Sequence, residues 1–150
     1  MPNHLANLNY AICIRMESGF CGIRYSQIDT FSFTLTGAGA PITEKTVFAV
    51  SDVMYGDSLC KTDYLLIAGG SETGTTTDMF YAKDRYCGLV LGYCKSTANV
   101  GTCTPTIGAV TTFTKPFVVG VVTDNNEEAN SSGNRGFNLN YNQQPCLTAG

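Results

Sequence analysis

The chain has no tryptophan and a single histidine, His4, in 150 residues. Histidine is the commonest proton shuttle, so Ser-His-Asp or Cys-His catalysis has almost nothing to stand on. Glu127 and Glu128 form an adjacent carboxylate pair. They stand in a polar stretch without sugar-stacking tryptophan, and read as a solvated acidic loop rather than glycosidase machinery. Charge is scarce as well, 14% of residues against about 25% in an average domain. Nine Lys and Arg against twelve Asp and Glu leave a net charge of −3 with no basic cluster. Capture of a nucleic-acid backbone is therefore excluded. No apolar run approaches the roughly 18 residues of a membrane span, and no C-x2-C pair offers the spacing of a zinc-thiolate site. The start, Met1-Pro2-Asn3-His4-Leu5, has neither the basic region nor the apolar stretch of a secretory signal. Sustained helical periodicity and internal repeats are missing too.

What is present is cysteine, glycine and β-forming residues. Sixteen glycines, with abundant Thr and Asn, favour strands and turns, and the length suits one domain over residues 1–150. Seven cysteines, Cys13, Cys21, Cys60, Cys87, Cys94, Cys103 and Cys146, point to an oxidising compartment, hence to a secreted, extracellular protein. Secretion without an export signal implies a segment of a longer secreted protein. Nearest-neighbour bridging pairs Cys13 with Cys21 across a hairpin centred on Glu17, Cys94 with Cys103, and Cys60 with Cys87, one of 15 connectivities that six cysteines allow. Cys146 is then left over, either for a disulfide outside the segment, oligomeric contact included, or as a free buried thiol.

Strands are expected at Tyr10 to Arg15, Phe20 to Ser26, Phe31 to Leu35, Val47 to Val50, Tyr64 to Ala68, Leu89 to Tyr93, Ile107 to Phe113 and Pro116 to Thr123. Phe137, Leu139 and Tyr141, alternating with asparagines, mark a half-buried strand. Gly69-Gly70 reads as a turn, and Gly120 as a bulge or a close approach. About nine short strands separated by turn residues predict an all-β sandwich or barrel. Asn130-Ser131-Ser132 in the polar connection before the last strand fits an N-glycosylation sequon.

The order of these features resembles a CUB domain. The matching pieces are Tyr10-Ala-Ile-Cys13-Ile-Arg, Phe31-Ser-Phe33-Thr-Leu35, Cys60-Lys-Thr-Asp63-Tyr64-Leu-Leu-Ile, Arg85-Tyr86-Cys87-Gly88, Pro116-Phe117-Val-Val-Gly and Thr123-Asp124 with Gly136-Phe137-Asn-Leu-Asn-Tyr141. They span about residues 5 to 142, and are similar to divergent CUB-like domains of secreted arthropod-type proteins. Departures are a missing first cysteine, a long insertion from Gly37 to Leu59, and the extra pair Cys94 and Cys103. The resemblance implies a disulfide-stapled, jelly-roll-like sandwich of two antiparallel sheets. It implies a non-enzymatic module that binds other extracellular proteins or further domains of the same chain.

The resemblance also implies a calcium site, with Asp63 and Asp124 at two ligand positions and Thr36 where a third carboxylate would stand. Glu44 or Asp57 is a substitute drawn from the insertion. The plainer reading makes Asp63 a hydrogen-bonded loop residue and Asp124 a turn residue. Tyr55, Tyr81 and Tyr86 are expected either as partner anchors or as packing against the disulfides. A structural building block of an extracellular assembly stapled through Cys146, and a glycan-binding sandwich, are the alternative functions.

Overall fold

A computed structural model describes residues 5–36, 53–71, 83–92, 108–126 and 135–146. Among these residues there are ten strands: β1 (Asn9–Ile14), β2 (Phe20–Gln27), β3 (Phe33–Thr34), β4 (Val53–Tyr55), β5 (Tyr64–Gly70), β6 (Lys83–Gly88), β7 (Ala109–Thr112), β8 (Phe117–Val122), β9 (Gly136–Phe137) and β10 (Leu139–Pro145). There is no helix among the described residues. One sheet runs β1-β8-β5-β6-β4, the other β10-β2-β7, and β3 with β9 forms a two-stranded ribbon. All pairings between these strands are antiparallel.

Period-two alternation decides which side chains enter the core. On β8, Phe117, Val119 and Val121 point inward, and on β5 Leu65 and Ile67 join them. From the facing sheet come Ile23, Tyr25 and Val110, while Tyr86 and Cys87 of β6 enter from the first sheet and Phe33 from the ribbon. This is the inward-facing alternation of a two-layer sandwich.

Several expectations change. Cys13 and Cys21 do not face each other, because β1 pairs with β8 and β2 with β10 and β7, so the two strands belong to different sheets. Cys21 bonds instead to Cys146, with Cα atoms 4.6 Å apart. The register Phe20↔Pro145 and the hydrogen bond from Cys146 N–H to the Gly19 carbonyl (3.0 Å) bring those two cysteines together. Cys146 is therefore not a spare thiol for an external bridge. Among the described residues Cys13 is the free and exposed cysteine. Cys60 bonds to Cys87, with Cα atoms 5.7 Å apart. Cys94 and Cys103, with the strand expected at Val47 to Val50, Glu44, Tyr81, the Glu127–Glu128 pair and the Asn130 sequon, lie outside the described residues.

Residues 89–92 form bends rather than the expected strand. Gln27 supplies the reason, since its buried Oε1 accepts the Leu91 N–H at 2.7 Å and the Gly108 N–H at 3.3 Å. A side chain thus takes over the pairing that a neighbouring strand would provide. β6 and β4 were not foreseen, and β4 lies inside the segment read as an insertion. Gly69-Gly70 is no turn: it ends β5, where the register shifts between Leu66 and Gly70 and Gly69 adopts φ 61°. Gly120 marks a close approach, as a Cβ there would meet the Leu66 Cβ at 3.0 Å.

Candidate functional site

The pairing Tyr64↔Val122 and Asn9↔Val122 places the start of β5, the end of β8 and the start of β1 side by side at one end of the sandwich. Asp63, one residue before β5, consequently lies beside Thr123-Asp124, which follows β8. Asp63 is 2% exposed. Its Oδ2 accepts the Thr36 hydroxyl at 2.8 Å, and its Oδ1 accepts the Asp124 N–H at 2.9 Å. The Thr62 hydroxyl donates to the Thr36 carbonyl. One buried carboxylate thus ties the segment after β3 and the turn after β8 to the start of β5.

The N-terminal segment joins the same junction. Leu8 N–H donates to Thr123 Oγ1 (2.8 Å), Thr123 N–H to the Leu8 carbonyl (2.9 Å), the Thr123 hydroxyl to the Leu5 carbonyl (2.9 Å), and Asn7 N–H to the Asp124 carbonyl (2.7 Å). Asp124 Oδ1 accepts the Asn126 N–H at 2.8 Å, an Asx turn that shapes the exit of the chain.

Asp63 and Asp124 are thus neighbours, as the resemblance implied, but the donors among the described residues do not fit calcium. That ion takes six to eight oxygens. Here both Asp63 oxygens already receive protein hydrogens, Thr36 contributes a hydroxyl rather than a carboxylate, and no group of three or more His, Cys, Asp or Glu is found among the described residues. Asp57 belongs elsewhere: its Oδ1 pairs with Arg85 Nε at 3.2 Å. The same guanidinium lies 4.5 Å over the Tyr64 ring and reaches the Cys60 carbonyl at 3.3 Å.

The expected aromatic anchors are rearranged. Tyr86 is buried and its hydroxyl donates to the Lys83 carbonyl at 2.8 Å, and Tyr55 packs half-buried against the core. The exposed aromatics among the described residues are Tyr10, Phe31 and Tyr141. Phe31 sits in a turn fixed by Asp29 and Ser32, with the Arg135 guanidinium 5.4 Å over its ring, and so does not share an inward face with Phe33 and Leu35.

Sequence reasoning had singled out Thr36 only as a missing carboxylate. Its part as hydrogen-bond donor was missed, and the signal was the polar identity of a residue that an apolar strand carries into the core.

The fold and its bridges define a disulfide-stapled antiparallel β-sandwich. The sequence matches the animal CUB domain family over residues 1–144, and the chain belongs to that family. CUB domains are generally extracellular protein-interaction modules and typically non-enzymatic. No curated protein and no solved structure matches the sequence.

Proposed function

We propose that this protein is a secreted, non-enzymatic CUB module that recognises another extracellular protein through the loops at its Asp63 end, without a metal ion. The observation that carries this reading is the Thr36–Asp63–Asp124 junction, which fixes that end with hydrogen bonds to a buried carboxylate. A surface held in one conformation loses little entropy on binding, which favours recognition at such a junction. The whole of residues 1–150 acts as one domain in this reading, as a piece of a longer secreted protein, with Asn130 as a glycan acceptor.

The test is a panel of extracellular proteins probed with the oxidised domain, in calcium and again in EDTA. A specific partner bound equally in both buffers, and lost when a charge is introduced at exposed Asn125 and Asn126 (each to Lys) but not at the far end near Gly19, supports the reading. Binding that disappears in EDTA overturns the metal-free part. A partner insensitive to changes at residues 125–126 overturns the choice of surface.

A further inference from the structure

The two larger sheets end on β1, β4, β7 and β10, and these edges are not alike: β7 is bridged through Thr111 to Ser71. β10 carries a register irregularity and a proline, Gln144/Pro145, devices that discourage further pairing. β1 has neither. Its six residues, Asn-Tyr-Ala-Ile-Cys-Ile, contain no charge and no proline, and pair without interruption with β8 from Asn9↔Val122 to Ile14↔Phe117. Its other edge has no strand partner among the described residues. Such an edge is a ready template for another strand.

The side chains add to this. Tyr10, Ile12 and Ile14 alternate onto the inner face, opposite Val121, Val119 and Phe117 of β8, yet the second sheet does not cover them fully. Tyr10 remains 46% exposed, Ile12 38%, Met16 46%, and Tyr141 on β10 57%. Ile12, Ile14, Leu139 and Tyr141 line a mainly apolar cleft of about 280 Å³ between the edges of the two sheets. Cys13 stands on the same strand, free and exposed, in a chain whose other four described cysteines are bridged.

We propose that this edge is covered by a second copy of the chain, β1 pairing antiparallel with β1 about a twofold axis at Cys13, where the two thiols join in a disulfide. Placing Cys13 on the axis sets Ile12 of each copy beside Ile14 of the other, so apolar side chains meet on the inner face of a continuous ten-stranded sheet. A directly opposed antiparallel pair brings Cα atoms to about 4.5–5.5 Å, which lies within the reach of a disulfide. The absence of charge on β1 means that self-pairing sets no like charges opposite each other.

Area explains why a covalent link belongs here. If a large side chain spans about 200 Å², the exposed fractions of Tyr10, Ile12, Met16 and Tyr141 amount to roughly 400 Å² per copy, about 800 Å² for the pair. A stable non-covalent interface buries about 1,200–2,000 Å². The edge aligns the copies and the disulfide keeps them together. The reaction joins two Cys13 thiols into one S–S bond. The two protons and two electrons released pass to a small disulfide such as oxidised glutathione, whose S–S bond breaks to give two thiols. This reading is independent of the partner-binding loops at the Asp63 end.

The test incubates the purified monomer, with its structural bridges intact, with oxidised glutathione, and follows it by non-reducing electrophoresis, light scattering and peptide mapping. A covalent dimer linked Cys13 to Cys13 is expected, absent in Cys13→Ser. Ile12→Lys retains the thiol but buries a charge at the seam, and is expected to slow dimer formation at least ~10-fold, in line with the energetic cost of an unpaired buried charge. Tyr10→Lys is the second seam variant, with circular dichroism checking that each is folded. Dimer formation at the same rate in wild type and both lysine variants overturns the proposal. So does capture of Cys13 only as a mixed disulfide with glutathione, or a dimer linked through another cysteine.

Discussion

Replacing Thr36 with valine is the sharpest probe of how the Asp63 end is held. Valine preserves the branched shape and removes the hydroxyl that donates to Asp63 Oδ2 at 2.8 Å. Thr36 is 1% exposed and Asp63 2%, so water cannot simply replace the lost donor. A hydrogen bond to a charged group contributes about 1.5–3 kcal/mol, and a loss of about 2 kcal/mol is expected for Thr36→Val. For a domain of this length that corresponds to a fall of about 4–8 °C in the thermal midpoint. Asp63→Asn weakens the same bond from the other side. A Thr36→Val/Asp63→Asn cycle, followed by urea unfolding, should therefore show a coupling of about 1–2 kcal/mol. Calcium supplies the control. A cation site filled at 100 times its dissociation constant would stabilise the fold by about 2.7 kcal/mol, which a thermal melt detects easily. The wild-type midpoint should instead be the same in calcium and EDTA. A Thr36→Val variant within about 0.5 kcal/mol of wild type, a background typical of surface substitutions, would refute the reasoning. So would a calcium-dependent midpoint.

Further predictions concern the core and the second bridge. Tyr25 is buried, its hydroxyl has no hydrogen-bond partner, and desolvation raises its pKa from 10.0 to about 12. The unfolded phenol ionises first as pH rises, so this contribution to stability is intact below pH 10 and is lost between about 10 and 12, on the order of 2 kcal/mol. Tyr25→Phe should flatten that part of the pH profile and leave stability at pH 7 equal or higher; an unchanged alkaline slope in urea melts would contradict the assignment. Removing the Cys21–Cys146 bridge, which spans 125 residues, should cost up to about 5 kcal/mol on the chain-entropy estimate. The double Cys21→Ala/Cys146→Ala variant, read by urea unfolding, tests this, and a loss under about 1 kcal/mol would mean that the reduced chain keeps those ends together.

Strand content was legible where alternation or a β-branched run is local. Phe117 to Val122 and Tyr64 to Ala68 announce themselves because each strand carries its own apolar pattern, and both now lie in the five-stranded sheet. Sheet membership was not legible, since a strand does not encode its neighbour. The turn Met16 to Gly19 looks like a hairpin loop, yet the chain crosses there from one sheet to the other. Gln143 of β10 holds the crossing, with Oε1 accepting the Glu17 N–H at 2.9 Å and Nε2 donating to the Arg15 carbonyl at 3.0 Å. Those contacts span more than 120 residues of sequence. The Gln27 side chain acts the same way at Leu91, over 64 residues.

The same limit governs the candidate site. Asp63 and Asp124 stood out because the resemblance grouped them. What they do was set by a third residue. A carboxylate at position 36 would place a second negative charge against a buried Asp63, a juxtaposition that calls for a cation. A threonine there brings a donor instead, and the negative charge becomes the acceptor that two separate segments share. One hydroxyl thus gives the buried carboxylate a protein donor at the position where a second carboxylate would have called for a cation.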